Sequence, residues 1–214
     1  MISKLHYITQ NLESATHAQL SEEACLAGAD WIQLRVKNRS AEEWKRIALE
    51  TLAVCKKHHA KLIINDNVLL AKEIGAHGVH LGKEDMSTDE ARKILGREFI
   101  IGGTANTFED IKTHAAAKVN YVGLGPLRFT STKEKLSPVL GIEGYKKILT
   151  QCKHQNILLP IIAIGGITET DVEEILNCGL YGVAVSGAIT NSKNKHLKIS
   201  NFKTALKISS IQSN

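Results

Sequence analysis

The sequence has little of what usually divides a chain or anchors it. Only three prolines, Pro126, Pro138 and Pro160, occur in 214 residues, and no Ser/Gly-rich or charge-run stretch interrupts it. Linkers between domains are therefore excluded, and residues 1–214 read as one domain, with a core over about 4–190 and a C-terminal helix and tail over 191–214. The start, MISKLHYITQ, lacks the apolar stretch of a secretory leader, and no window approaches the roughly 18 apolar residues of a membrane span. A cytoplasmic protein without a membrane partner is expected. Cys25, Cys55, Cys152 and Cys178 fall singly in helical-looking segments, without C-x-x-C spacing. That argues against a disulfide framework or zinc site and fits reduced, buried thiols. Aromatic residues make up 5%, and the excess of 27 Lys+Arg over 22 Asp+Glu is scattered rather than gathered with them. Nucleic acid is thus a poor partner, and a phosphorylated metabolite a better one.

What is present is alternation. Eight short apolar runs, KLHYIT, WIQLR, KLIIN, GVHL, FIIGG, YVGLG, PIIAI and GVAV, are separated by helical stretches. Helix-start signals follow most of them: Ser40-x-x-Glu43, Ser87-x-x-Glu90, Thr107-x-x-Asp110 and Thr168-x-x-Asp171 place a hydroxyl where it can cap an open amide. Eight strand-then-helix units imply a parallel sheet closed into a single-domain α/β (β/α)8 TIM barrel. A doubly wound open sheet is the alternative, but YITQNLES stands after the first run, where that fold would carry its glycine fingerprint.

Strand parity then assigns faces. In WIQLRVK, Ile32, Leu34 and Val36 turn toward the helices, and Gln33, Arg35 and Lys37 toward the barrel interior or its rim. In KLIIND, Leu62 and Ile64 face the helices, Asn65 points inward, and Asp66 lies just beyond. Chemistry in such barrels sits at the carboxyl ends of the strands. Read there, the chain offers Gln33, Arg35, Lys37, Asn65, Asp66, Asp85 and Thr104, the polar segment GPLRFTSTKEKLSPVLG, Gly165 with Gly166, and Ser186 with Gly187. The glycines after strands seven and eight suit an anion cradle, although a Gly-Gly pair alone is more often just a tight turn. Asp66 and Asp85 can hold magnesium between themselves and phosphate oxygens; each alone is more commonly a cap or turn residue. Arg35, Lys37 and Lys133 suit a diphosphate. The nine histidines single out no site: His77 and His80 point to opposite faces of a strand, and His58 and His59 end a helix, where positive charge suits the dipole.

Taken in order, GADWIQLRVKN, LIINDN, GAHGVHLGKED, IIGGTANT, YVGLGPLRFTSTK, PIIAIGGI and GVAVSGAI resemble the thiamine phosphate synthase family, near its thiazole tautomerase branch. The resemblance implies that Gln33, Leu34, Arg35, Val36, Lys37, Asn65, Thr104 and Lys133 hold hydroxymethylpyrimidine diphosphate. It implies Asp66 and Asp85 as ligands of Mg2+, and Thr130, Ser131, Thr132, Gly166, Ser186 and Gly187 as the thiazole phosphate site. Arg35, Lys37 and Lys133 would then stabilise the departing diphosphate. Asn67, Lys83, Thr104, Asn106 and the Ser186-Gly187 pair depart from the usual family residues, which have Arg, Gln, Ser, His and an aliphatic residue with Ser. The alternatives are a thiazole tautomerase, for which Asn106 is the wrong residue because a carboxamide is no base near neutral pH, and a non-catalytic barrel binding a phosphorylated metabolite. A homo-oligomer is compatible with the sequence.

Overall fold

The computed structural model describes residues 1–130 and 137–211. The eight apolar runs form β1 (Leu5–Ile8), β2 (Trp31–Leu34), β3 (Lys61–Asn65), β4 (Gly78–Leu81), β5 (Ile100–Ala105), β6 (Tyr121–Leu124), β7 (Ile161–Ile164) and β8 (Gly182–Val185). Between and after them run α1 (His17–Leu26), α2 (Ala41–Lys57), α3 (Val68–Ile74), α4 (Thr88–Leu95), α5 (Phe108–Ala116), α6 (Gly141–His154), α7 (Val172–Asn177), α8 (Gly187–Thr190) and α9 (Lys195–Ile211). Neighbouring strands pair in parallel in chain order, and β8 closes on β1. The chain is a closed (β/α)8 barrel.

Local chemistry starts the helices. Ser40, Ser87 and Thr107 each accept the backbone N–H three residues on, and Glu43, Glu90 and Asp110 return the bond to the cap backbone; such a cap contributes about 1 kcal/mol. Thr168 gives its backbone N–H and its hydroxyl to Asp171, which opens a 3-10 turn over Glu169–Asp171. α1 has a capping box of its own, Thr16 with Gln19. α6 has no side-chain cap; its start is tied instead by Leu140 N–H to Pro126 O (2.9 Å) and Gly141 N–H to Leu127 O (3.1 Å).

Two apolar clusters lie on opposite faces of the sheet. Ile32, Leu34, Val36, Leu62 and Ile64 join the larger one, between strands and helices, as parity requires. Each fully buried aliphatic side chain there contributes roughly 1.5–3 kcal/mol over its exposed state. The smaller cluster, Ile8, Trp31, Ile63, Tyr121, Ile162 and Ala184, fills the barrel interior. His6 joins it, stacked on Trp31 with ring centroids 4.3 Å apart and edge-on to Tyr121 at 5.0 Å. A Cβ on Gly102 would lie 2.2 Å from the Tyr121 ring, so glycine there is what admits the phenol. With this plug in place only the upper interior is left for polar groups.

α9 buries Ile199, Phe202 and Leu206 against α1 and α7, bridging the last and first units. Cys25, Cys55 and Cys152 are buried, Cys178 is half-buried, and all four are free thiols. Among the described residues no helix is long and apolar enough to cross a membrane.

Burial, reinforced by the nearness of His80, pushes the pKa of His6 from 6.5 down to about 3. Between those values the unfolded chain binds the proton and the folded one refuses it. The contribution of His6 to stability is therefore complete above pH 6.5 and falls toward pH 3, by about 1.4 kcal/mol per pH unit. Urea titrations from pH 7 to pH 4 should show this decline, and His6→Phe should flatten it by about one proton's worth; an identical slope in the variant would assign the decline to other groups.

Candidate active site

Parity and closure bring the polar ends of β2, β3, β4 and β5 to one rim. Gln33 and Asn65 are both buried, and Gln33 Nε2 donates to Asn65 Oδ1 at 2.7 Å. With its oxygen engaged by Gln33, what Asn65 can offer a further partner is its amide N–H donor group. Arg35 is half-buried just past the end of β2, and Lys37 stands exposed beyond it. Leu34 and Val36 have their side chains in the outer cluster, so only their backbone can meet a ligand in the barrel mouth. A cleft of about 470 Å³ opens beside this rim, lined among others by Lys37, Arg39, Trp44, Asn65, Asp66 and Met86.

The carboxylates converge as expected. Asp66 follows β3 in a left-handed conformation, φ 68°, and forms an ion pair with Lys37. Asp85 accepts the Gly82 N–H at 2.6 Å, which makes it a turn residue as well as a candidate ligand. Burial works to raise the pKa of Asp66, but the Lys37 bond, a bond with Asp85 and the Lys37 charge outweigh it and hold that carboxyl below its usual range. Asp85 is pushed up, by burial first and then by Asp66. Among the described residues no group of three or more His, Cys, Asp or Glu side chains converges. A two-carboxylate set fits magnesium completed by substrate oxygens and water, and does not fit a cation that needs a full protein cage.

Thr104 is half-buried on β5, its hydroxyl 3.0 Å from His80 Nε2; His80 Nδ1 in turn lies 3.0 Å from the Tyr121 hydroxyl. The sequence set His80 on the face opposite His77 but gave it no part in the site. The alternation in GVHL was the available signal, since it turns Gly78 and His80 inward together. The departures at three other positions have local explanations. Asn67 caps α3 by accepting Leu70 N–H at 3.0 Å. Lys83 pairs with Asp110 at 2.6 Å. Asn106 is buried and donates to Gly125 O at 2.8 Å and Pro138 O at 2.9 Å, fastening both ends of the segment after β6.

On the opposite side of the rim stand Gly166, Ser186 and Gly187. Gly166 has φ 70°, and a Cβ there would lie 2.4 Å from Arg128 Cγ. Arg128 donates to Gly166 O at 2.7 Å and forks onto Asp171 at 2.7 and 2.8 Å, a clamp that the sequence reading missed. Ser186 donates its hydroxyl to Ile8 O at 2.7 Å. That proton cannot also serve a phosphate, so an anion at this position is left to the backbone N–H groups. Thr130 is half-buried at the edge of the described segment; Ser131, Thr132 and Lys133 lie outside the described residues.

Residues 5–189, most of the chain, match the family described as thiamine monophosphate synthase. The chain belongs to this family. It is 49% identical over 206 residues to the thiamine-phosphate synthase of Flavobacterium johnsoniae, covering 96% of this chain and 97% of that one. To the thiamine-phosphate synthase of Bacteroides thetaiotaomicron it is 48% identical over 206 residues, covering 95% and 99%. Among solved structures it resembles thiamine phosphate pyrophosphorylase from Pyrococcus furiosus, with a TM-score of 0.83, 27% identity and 96% of each chain covered.

The clamp makes a prediction about the two glycines. Gly166→Ala meets both a disfavoured φ and the Arg128 stem, whereas the nearest atoms to a Cβ on Gly187 are 3.5 Å away. Thermal unfolding should show Gly166→Ala destabilised by about 1–3 kcal/mol and Gly187→Ala by clearly less; equal losses would remove the Arg128 clamp as the cause.

Proposed function

We propose that the chain is a thiamine-phosphate synthase, a transferase that joins hydroxymethylpyrimidine diphosphate to a thiazole phosphate, or to its carboxylated form with loss of carbon dioxide, and releases diphosphate. The observation that carries this reading is the meeting of Gln33–Asn65, Lys37–Asp66 and Asp85 at one rim, in a chain whose relatives at 48–49% identity bear that name.

The difficulty of the reaction is charge. As the carbon–oxygen bond breaks, negative charge grows on the leaving diphosphate, and cationic groups held in advance lower the barrier most. Arg35 and Lys37 supply that charge from the segment just after β2, and Lys133, on the resemblance, supplies more from the segment after β6. Asp66 and Asp85 would hold magnesium, whose chemistry here is to neutralise diphosphate oxygens. Asn65 and Thr104 orient the pyrimidine diphosphate. The electron-rich aminopyrimidine can carry the positive charge left on its methylene carbon, and the thiazole nitrogen attacks that carbon, so no protein nucleophile is required. Gly166 and the backbone N–H groups at Ser186 and Gly187 receive the thiazole phosphate, and the resemblance adds Thr130, Ser131 and Thr132 to that site. A tautomerase is disfavoured because Asn106 binds two backbone carbonyls and has no basic atom to move a proton. A cytoplasmic biosynthetic role goes with the synthase reading.

Incubation of the purified protein with both phosphorylated halves and magnesium should yield thiamine phosphate and diphosphate; no product with either thiazole form would sink the reading. Chelation of magnesium should stop turnover and its return should restore it. Lys37→Ala should lower kcat by about 100-fold, while Lys147→Ala, exposed on α6, should leave it within a factor of about two; equal effects would remove Lys37 from the site.

A further inference from the structure

A chain of hydrogen bonds runs behind the cationic segment and ends on its backbone. Arg35 N–H donates to Thr9 Oγ1 at 3.2 Å. Thr9 Oγ1 lies 2.8 Å from His17 Nδ1, and His17 Nε2 lies 2.8 Å from Asn11 Oδ1. Asn11 Nδ2 then donates to Lys37 O at 2.7 Å. Thr9 and His17 are buried, Asn11 is exposed, and Thr9 N–H also holds Gln33 O at 3.0 Å.

The two ends determine every link between them. A backbone N–H can only donate and a backbone carbonyl can only accept. Because Lys37 O accepts, Asn11 must present its Nδ2 there and its Oδ1 to the ring. His17 Nε2 must then carry a hydrogen. If Nδ1 also carried one, the ring would be charged; burial, with Arg39 nearby, opposes that and pushes its pKa down to about 4. Nδ1 is therefore a bare acceptor, and the Thr9 hydroxyl donates to it while accepting from Arg35. The opposite tautomer would turn Asn11 Oδ1 against Lys37 O, two acceptors at 2.7 Å with no hydrogen between them.

We propose that His17, in its Nε2–H form, is a positioning residue: through Thr9 and Asn11 it sets the backbone of Arg35–Lys37, and so the aim of both cations at the diphosphate. The proposal rests on the synthase reading. Arg35 and Lys37 are long side chains, and a shift of their backbone of a fraction of an ångström misplaces their charges. At the Lys37 end the segment has left β2 and Asn38 is already in a left-handed conformation, φ 56°, so the Asn11 bond holds backbone that no strand pairing holds.

The test separates positioning from mere stability. Asn11→Ala, at an exposed site, cuts the last link without touching the core. It should raise KM for the pyrimidine diphosphate about tenfold and leave KM for the thiazole phosphate unchanged. His17→Ala should do at least as much, Asn11→Ala added to it should cost nothing further, and His17→Gln, whose amide N–H can reach Asn11, should recover most of the loss. Ser21→Ala, which removes a buried bond to His17 O on the same helix (2.7 Å), should alter neither KM. Nitrogen-15 NMR of the His17 ring at neutral pH should show a protonated Nε2 and a bare Nδ1. Equal changes in both KM values, additive losses in the double variant, or a hydrogen on Nδ1 would overturn the proposal. If the unaltered chain gives no turnover, the synthase reading falls instead. Calorimetric titration with inorganic diphosphate and magnesium then decides on the relay: Asn11→Ala should weaken binding about tenfold relative to Ser21→Ala, and equal affinities would refute it.

Discussion

Closure of the parallel sheet is the constraint on which the rest depends. Once β8 pairs with β1, every strand must divide its residues between two interiors, and a shift of one residue would exchange them. The lower interior is filled by the rings of His6, Trp31 and Tyr121, so it is a packed core rather than a pore. Inward-facing residues one pleat higher on β2, β3 and β5 are Gln33, Asn65 and Thr104, which no apolar core would select. The polarity of the mouth is thus the counterpart of the apolar plug beneath it.

Above the strands the site is held by side chains that bind backbone. Asn106 ties Gly125 to Pro138, Arg128 ties the segment after β6 to that after β7, and the Thr9–His17–Asn11 chain ties β1 and α1 to the segment after β2. These polar anchors act beside the buried apolar residues of the same connections, Val36, Leu127 and Ile167. They also place the cationic and the glycine-rich halves of the rim on separate supports.

How far the sequence could be read follows from the range of each interaction. The strands and the helix starts at Ser40, Ser87, Thr107 and Thr168 were legible because alternation and capping act within a few residues. Gln33 and Asn65 were legible because parity alone turned them inward. His80 and Tyr121 meet across 41 residues, Arg128 and Asp171 across 43, and no local pattern announces such partners. The cap at Asn67 shows the converse: read against the family it was a departure, yet locally it is an ordinary helix start.

The contact between Gly166 and Arg128 carries a consequence for how such a chain can change over generations. Arg128 can pass over position 166 only while that position has no side chain, and Asp171, with a side chain 16% exposed, would keep, among the described residues, only its Thr168 bonds and lose its one cationic partner if the guanidinium went. No one of the three can drift alone without penalty. Substitutions at 128, 166 and 171 should therefore be inherited as a set, and a relative that carries a side chain at 166 should have abandoned the Arg–Asp fork as well.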